Sequence, residues 1–331
     1  MPLDRGGAGG ADPGMNDPEG AAGAGLVLLI NGEGRCGAAA ARERLRAGGR
    51  ALDAVEAGIR LVEADPAVRS VGRGGDPNLL GEVECDAAIM DGETLQAGAV
   101  GALRGYRHAI SVARQVMERL PHVFLAGEGA ARFASEIGAE GDSLLTPEAA
   151  ARHAAWIARH AAAAHRAAWP AVPLAEYARL ACEQVRSRGT TVYLAIDREG
   201  NLAAGASSSG WSRKYPGRLG DSAVVGAGLY ADRRHGACGC THTGEMAIRA
   251  GTARAVVLYM QKGATVREAC AEALRDLRRL NGGLQGALAI HALDRRGEPC
   301  VAASGDLGEE IVYHYWREGM DEPETGRPIV P

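Results

Sequence analysis

Residues 189–197 read Gly-Thr-Thr-Val-Tyr-Leu-Ala-Ile-Asp, a Gly-Thr pair that leads directly into a run of apolar and β-branched residues. Such a run predicts a buried β-strand. The preceding residues, about 139–189, are Ala-rich or polar and contain the breaker Trp-Pro-Ala-Val-Pro, so they predict a mobile connector. The Gly189–Thr190 bond therefore joins a mobile segment to a buried strand, which is where a latent N-terminal nucleophile would be stored.

The chemistry of threonine explains why a chain break at this bond would matter. A Thr hydroxyl is a weak nucleophile, but cleavage before Thr190 would place a new α-amine beside that hydroxyl. With a pKa of about 7.7–8.0, this amine can act as the base at neutral pH. Gly189 tolerates the unusual dihedral angles that a strained scissile bond requires. A Thr at the start of a strand is commonplace, however, so the dipeptide alone does not decide between a latent nucleophile and an ordinary strand residue. Cleavage at this bond would give fragments 1–189 and 190–331, with Thr190 as the nucleophile.

The hydrophobic pattern on both sides predicts strands and helices in separate runs. Predicted strands cover residues 25–31, 82–92, 94–103, 122–127, 190–197, 202–209, 223–231, 236–242, 286–293, 299–304 and 311–316. Predicted helices cover residues 38–47, 51–64, 108–120, 128–137, 147–168, 245–261 and 265–280. Strands grouped in hairpins, with helices apart from them, indicate an α+β layered domain.

Composition narrows the class of protein. The chain has 331 residues and a net charge of −4, from 37 Lys+Arg against 41 Asp+Glu, which argues against a nucleic-acid or membrane partner. Residues 1–23 are rich in Gly and Pro and predict a disordered leader, followed by one domain over 24–331. The seven dispersed Cys are typical of reduced core thiols, and we expect a cytoplasmic protein.

Two motifs invite other interpretations. Residues 32–37, Gly-Glu-Gly-Arg-Cys-Gly, form a literal GxGxxG before a helix, with Asp53 about 20 residues on, as in a nucleotide-binding oxidoreductase. Asp53 lies on a predicted helix, however, and the alternating βαβ units of that fold are missing. Cys238 and Cys240 lie near His235 and His242, but zinc sites usually need CxxC spacing, so core packing is the better interpretation. No metal ligand set is predicted.

The residues beyond Thr190 carry a more specific pattern. Residues 200–228 and 240–245 (Cys-Thr-His-Thr-Gly-Glu) resemble the Thr-type N-terminal nucleophile (Ntn) amidohydrolases, the family of plant-type L-asparaginases, isoaspartyl peptidases and glycosylasparaginases. Residues 51–63, 70–78, 81–103 and 109–118 are similar to the larger subunit of that family, glycosylasparaginases especially. The resemblance implies a four-layer αββα sandwich that cleaves itself, a homodimer of processed protomers and no cofactor, with a structural alkali-metal ion left open.

The resemblance also implies roles for individual residues. Thr190 would attack a side-chain amide carbonyl, Thr241 would donate to the oxyanion, and Ser208 would hydrogen-bond the nucleophile or its amine. Arg218 would clamp the substrate α-carboxylate and Asp221 would pair with the α-ammonium group. Read without the resemblance, Arg218 and Asp221 could instead form a surface ion pair in a turn.

Three departures from the family pattern bear on the substrate. Ser208 replaces the usual Thr, and His242 stands where the family commonly has Gly, at the rim of the substrate pocket. The aromatic residues that glycosylasparaginases carry after the first strand are replaced here by Asn31-Gly32-Glu33-Gly34. We therefore expect hydrolysis of L-asparagine or β-aspartyl dipeptides. N4-glycosylated asparagine is the alternative substrate, and an inactive, binding-only member of the family is also open.

Overall fold

In the computed structural model, residues 25–184, 189–305 and 311–330 are described. The predicted leader over 1–23 and residues 185–188 of the predicted connector lie outside these ranges. No helix in the described ranges has the length and apolar character needed to span a membrane.

The first strand shows why the chain builds layers. In β1 (Val27–Asn31), Leu28 and Ile30 pack into one core cluster, while Val27 and Leu29 pack into another. Because successive side chains of a strand point to opposite faces, a continuous apolar run is buried on both faces of its sheet. The strand therefore lies in an interior layer.

The described strands form two sheets. They are β1, β2 (Cys85–Asp91), β3 (Ala97–Leu103), β4 (Phe124–Ala126), β5 (Thr191–Ile196), β6 (Leu202–Ser208), β7 (Leu229–Asp232), β8 (Gly236–His242), β9 (Leu288–Asp294), β10 (Pro299–Ser304), β11 (Tyr313–Arg317) and β12 (Glu324–Gly326). The large sheet has the order β12-β11-β1-β5-β6-β2-β3-β4, and the small sheet has the order β10-β9-β8-β7. In the large sheet, β1 pairs antiparallel with both β11 and β5.

Ten α-helices lie in the described ranges, and several of them cover the outer faces of the two sheets. They are α1 (Ala38–Arg46), α2 (Ala51–Ala64), α3 (Ala109–Arg119), α4 (Gly127–Glu136), α5 (Pro147–His160), α6 (Ala163–Ala168), α7 (Ala175–Gln184), α8 (Gly244–Ala250), α9 (Thr252–Gln261) and α10 (Val266–Arg278). Helices α2 and α3 contact the large sheet, and α9 and α10 contact the small sheet. One core cluster lies between the sheets, and one lies under each helical layer. The predicted α+β, four-layer αββα sandwich is confirmed.

Three predicted elements differ from the structure by more than a few residues at their ends. The strand predicted over 223–231 begins only at Leu229, because residues 221–223 form a 3₁₀ turn. The helix predicted over 245–261 is split at Gly251, whose φ of 60° is left-handed and ends α8. The helix predicted over 147–168 stops at His160 and resumes as α6, and a further helix, α7, follows the breaker.

The GxGxxG segment is a packing motif. Residues 32–37 form a 3₁₀ turn, and a Cβ at Gly37 would overlap the Gly58 carbonyl and the Tyr193 hydroxyl. Asp53 lies on α2, as predicted, and β1 has antiparallel neighbours instead of the parallel strands of a dinucleotide fold. The glycines of residues 32–37 allow this 3₁₀ turn to pack closely against α2 and β5. The nucleotide-binding interpretation is wrong.

Candidate active site

The side chain of Asn31, at the end of β1, fixes the start of β5. Its Oδ1 accepts a hydrogen bond from the Val192 amide at 2.8 Å, and its Nδ2 donates to the Thr190 carbonyl at 2.5 Å. Both Asn31 and Thr190 are buried. The predicted nucleophile therefore enters the middle of the large sheet with its backbone held by the neighbouring strand.

Ser208 lies at the end of β6, on the other side of β5. The last cross-strand pair between these strands is Thr191 with Ser207, so Ser208 lies level with Thr190. Its hydroxyl donates to the carbonyl oxygen of Gly189 at 3.3 Å and accepts from the Gly210 amide at 2.9 Å. The Ser208 hydroxyl therefore donates to the carbonyl group of the Gly189–Thr190 bond, which the sequence predicts to be cut.

The requirement for glycine at position 189 is one of space. A Cβ at this position would overlap Ser70 Oγ and would lie 2.9 Å from Glu33 Oε1. The Gly189–Thr190 bond is therefore enclosed by side chains from two different loops.

Thr241 approaches from the small sheet. Gly239 on β8 packs against the side chain of Val192 on β5, and strand alternation turns Thr241 to the same face as Gly239. The buried Thr241 hydroxyl lies 2.9 Å from His242 Nδ1. His242 has a φ of 84°, a left-handed conformation that suits glycine far better than a residue with a Cβ. The departure noted at position 242 therefore carries a backbone cost.

Arg218 does not pair with Asp221. Its Nε and Nη2 both donate to Glu245 Oε1, at 3.0 and 2.8 Å, and its guanidinium carbon lies 4.6 Å from the centre of the Trp211 ring. The Nη1–Nη2 edge is left for another acceptor. Gly210 and Gly220 lie beside it, where a Cβ would come within 3.2 and 3.1 Å of Nη1. The interpretation of Arg218 and Asp221 as a surface turn pair is wrong.

Asp221 is a buried carboxyl group that lacks a full set of partners. No described residue hydrogen-bonds its Oδ2. Burial raises its pKa from 3.8 to about 7, while the positive charge of Arg218 acts in the opposite direction. The charge of Arg218 favours the ionised form of this carboxyl group, and a buried carboxylate with an open acceptor position is a suitable partner for a positively charged group on a ligand.

Two cavities meet at Glu33. The first, of about 720 Å³, is lined by Gly189, Ser70 and Gly210 among others. The second, of about 560 Å³, is lined by Asn31, Thr241, His242, His291 and His314 among others. Glu33, Gly32 and Arg35 line both. Arg218 and Asp221 are not among the described lining residues of either cavity.

The second cavity contains an unusual histidine. His291 is almost completely buried, and the one polar contact described for its ring is a weak one with the Gly239 backbone. Burial, followed by the neighbouring His242, lowers its pKa to about 3, so the ring is neutral near pH 7. His314 places a ring nitrogen without a described partner at the same wall. The two rings therefore add neutral polar groups to a cavity that Glu33 and Arg35 also line.

Several supporting residues are absent from the sequence-based set. Four of them lie against the predicted site residues Gly189, Thr190 and Arg218: Asn31, Glu33, Ser70 and Glu245. Below them, the buried Lys214 ammonium donates to the Glu84 carbonyl at 3.2 Å. The Asp86 carboxylate accepts from the Gly220 amide at 2.8 Å, which fixes the loop that carries Arg218. The only signal for Asn31 in the sequence is a polar residue that ends an apolar strand.

The cysteines follow the core prediction in part. Cys238 and Cys240 are completely buried, as is Cys85, whereas Cys36 is exposed and Cys182 is intermediate; no disulfide joins any two of the seven. Across the described ranges, no group of three or more His, Cys, Asp or Glu side chains could hold a metal ion.

Comparison with known proteins gives matches along most of the chain. A family model described as asparaginase matches residues 34–306. An N(4)-(β-N-acetylglucosaminyl)-L-asparaginase from Elizabethkingia miricola is 40% identical over 230 residues, which cover 70% of this chain and 62% of that protein. An isoaspartyl peptidase from Salmonella typhimurium is 36% identical over 289 residues, 86% of either chain. A plant-type L-asparaginase from Pyrococcus horikoshii is 36% identical over 285 residues, covering 84% of this chain and 87% of that protein.

Proposed function

The chain belongs to the asparaginase family of hydrolases, and from this premise we propose that it cleaves β-aspartyl amide bonds after cutting itself before Thr190. Its substrates would be L-asparagine and β-aspartyl dipeptides. The observation that carries the proposal is the environment of the Gly189–Thr190 bond. A buried Thr opens the central strand, and the Ser208 hydroxyl donates to the carbonyl of the preceding residue.

Thr190 acts as the nucleophile in this proposal. Its Oγ attacks the β-carboxamide carbon of the substrate, and its own α-amine takes the hydroxyl proton and passes it to the departing nitrogen. Water then hydrolyses the acyl-enzyme ester and restores the hydroxyl. Asn31 supports this role because it holds the Thr190 carbonyl and the Val192 amide, so the new chain end stays in register with β1.

Thr241 donates to the negative oxygen that forms on the attacked carbonyl. Such a donor is typically worth a factor of about 10²–10³ in rate. When the Thr241 hydroxyl donates to His242 Nδ1, its proton is unavailable to the substrate, so binding must turn the hydroxyl away from His242. His242 thereby affects both the shape of the site and the orientation of the donor.

Arg218 and Asp221 recognise the amino-acid end of the substrate. The Nη1–Nη2 edge of Arg218 binds the α-carboxylate, while Glu245 and Trp211 hold the other side of the guanidinium group. The α-ammonium group binds at the open Oδ2 of Asp221. Recognition of both charges selects a free amino acid and leaves its β-carboxamide for Thr190.

The second candidate substrate is N4-glycosylated asparagine, because the Elizabethkingia miricola relative is an N(4)-(β-N-acetylglucosaminyl)-L-asparaginase. Sugar binding usually draws on aromatic faces. The described lining of both cavities contains no Trp, Tyr or Phe, and Glu33 lies where the two cavities meet. The lining therefore favours ammonia or an amino acid as the leaving group over a glycosylamine.

One experiment tests the central proposal. Purified protein should resolve by intact mass into fragments 1–189 and 190–331, and the smaller fragment should begin Thr-Thr-Val-Tyr. It should release ammonia from L-asparagine, whereas Thr190→Ala should remain one inactive chain. A cleaved protein without hydrolase activity would instead support a binding-only member of the family. A chain that stays uncut would contradict the proposal.

We also propose that the protein acts in the cytoplasm as a homodimer of processed protomers. That no disulfide joins any two of the seven cysteines supports a reducing compartment. Light scattering after cleavage would give the mass of the assembly. A mass of one protomer would remove the dimer from the proposal.

A further inference from the structure

The first cleavage poses a problem that later turnover does not. The α-amine proposed as the base during substrate hydrolysis does not exist while Thr190 is joined to Gly189, because its nitrogen is then part of a peptide bond. A peptide nitrogen cannot accept the hydroxyl proton at neutral pH. Self-cleavage therefore needs a proton acceptor from elsewhere in the chain.

Glu33 lies at the required place. Its Oε2 accepts from Asn31 Nδ2 at 2.6 Å, and the same nitrogen donates to the Thr190 carbonyl at 2.5 Å. Its Oε1 would lie 2.9 Å from a Cβ on Gly189. The Glu33 carboxylate thus lies beside Gly189, on one side of the bond. It shares the Asn31 Nδ2 donor with the carbonyl of Thr190, on the other side.

The electrostatic setting of Glu33 suits proton transfer. Burial raises the pKa of Glu33, and hydrogen bonds from its own backbone amide and from Asn31 only partly offset this. No Lys or Arg in the described ranges forms an ion pair with it. Asp76 also lines the first cavity, but Arg152 and Arg69 bind its carboxylate, and its pKa is lowered. Glu33 is therefore the better proton acceptor of the two carboxylates.

We propose that Glu33 transfers the proton during cleavage of the Gly189–Thr190 bond, an inference that rests on the proposed self-cleavage. Its carboxylate takes the proton from Thr190 Oγ as this oxygen bonds to the Gly189 carbonyl carbon. The carbon–nitrogen bond then breaks, and Glu33 gives the proton to the Thr190 nitrogen. Water hydrolyses the resulting ester to a Gly189 carboxylate and a free Thr190 hydroxyl.

The test measures the rate at which the single chain converts into two fragments, by intact mass. Glu33→Gln keeps the size of the side chain and an acceptor for Asn31 but cannot take the proton. We expect it to cut about 10²-fold more slowly or worse. Glu33→Asp, which keeps a carboxylate, should recover part of the rate. Glu43→Gln, an exposed glutamate on α1, should cut at the wild-type rate.

Chemical rescue separates proton transfer from a structural effect. Formate added to Glu33→Ala should increase the cleavage rate in proportion to its concentration, whereas equal chloride should not. Cleavage of Glu33→Gln within about threefold of wild type, or Glu33→Ala without any formate response, would overturn the assignment. Failure of the wild-type chain to cut would instead overturn the proposed function, so the two failures are distinct.

Discussion

The hydroxyl of Ser208 donates a hydrogen bond to the carbonyl oxygen of Gly189 at 3.3 Å. This contact joins the end of β6 to the residue before β5, across the bond that the proposed self-cleavage breaks. A donor already in place on that carbonyl stabilises the negative charge that attack by Thr190 would create there.

Ser208→Ala should therefore slow self-cleavage by about 10²-fold, because one oxyanion donor is lost. Ser208→Thr keeps the hydroxyl and should cut within a few-fold of the wild-type rate. Time courses of intact mass measure both variants. Equal rates for wild type and Ser208→Ala would show that the hydrogen bond contributes nothing to the reaction.

Arg218→Lys should lower kcat/KM for L-asparagine by about tenfold or more, while the Gly189–Thr190 bond is still cut. Lysine keeps the positive charge but loses the planar edge that is left beside Gly210 and Gly220. Self-cleavage needs no free α-carboxylate. Steady-state kinetics on fully cleaved enzyme provide the measurement, and unchanged kinetics would remove Arg218 from the site.

Asp221 should make stability depend on pH. Its pKa in the folded protein, about 7, exceeds the ordinary 3.8, so the folded state binds this proton more tightly than the unfolded chain does. The group therefore destabilises the fold progressively as pH rises from about 4 to about 7. In a Thr190→Ala background, Asp221→Asn should increase the free energy of unfolding at pH 8 by about 1–4 kcal/mol.

Urea titrations at pH 4 and pH 8 check this prediction. The advantage of Asp221→Asn should shrink towards zero at pH 4, where both folded and unfolded chains carry the proton. Asp321→Asn, at an exposed position, should show no such dependence. A pH-independent advantage for Asp221→Asn would mean that its carboxyl group is not neutral in the folded protein near pH 6.

His242→Gly should raise kcat/KM for β-aspartyl dipeptides and glycosylated asparagine more than for L-asparagine, because it widens the second cavity. Removal of His242 also frees the Thr241 hydroxyl, which should change the rate with all three substrates equally. The ratios of kcat/KM between substrates therefore report only the change in cavity width. His242→Ala should show a similar change in preference. Wild-type enzyme should favour L-asparagine and small dipeptides, and a clear wild-type preference for the glycosylated substrate would overturn this order.

The same pair of variants isolates the backbone cost at position 242. Glycine accepts a φ of 84° readily, whereas alanine does not. His242→Gly should therefore be more stable than His242→Ala by about 1 kcal/mol. Thermal unfolding of both proteins in the Thr190→Ala background gives the difference, and equal stabilities would contradict the argument from strain.

Gly58→Ala should destabilise the fold by about 1–3 kcal/mol, because its methyl group would overlap the ring of Tyr193 under α2. Gly129→Ala is the matched control. Gly129 also lies in a helix, but nothing surrounds its Cβ position, so alanine should stabilise by up to about 1 kcal/mol. Equal effects would mean that α2 can shift away from Tyr193 at little cost.

The sequence predicted well those features that depend on local periodicity. Helix α2 has the predicted bounds, because Leu52, Val55, Ile59 and Val62 mark one continuous buried face. The sequence predicts the start of β7 too early, because Ala223 and Ala227 are buried in a 3₁₀ turn and the loop that follows it. Burial without strand pairing looks the same as a strand in a sequence.

Residues that act through long-range contacts could not be found in this way. The Asn31 hydrogen bond to Thr190 spans 159 positions and exists only because β1 and β5 are neighbours in the large sheet. Glu245 was expected only as the start of a helix, and its bonds to Arg218 follow from how α8 packs beside the 3₁₀ turn at Asp221. Tertiary pairing supplied these contacts, and no local pattern encodes them.

The position of β1 between β11 and β5 has a consequence for how the molecule can be made. The strand from the beginning of the chain is flanked on both sides by strands that follow residue 190. While the chain is intact, these strands meet at a rate independent of concentration. Once it is cut, recovery from full denaturation becomes a bimolecular association of two interleaved fragments, and dilution slows it. Cutting would thus change folding from a unimolecular reaction into a bimolecular one. Only the intact chain could fold at a rate that does not depend on protein concentration.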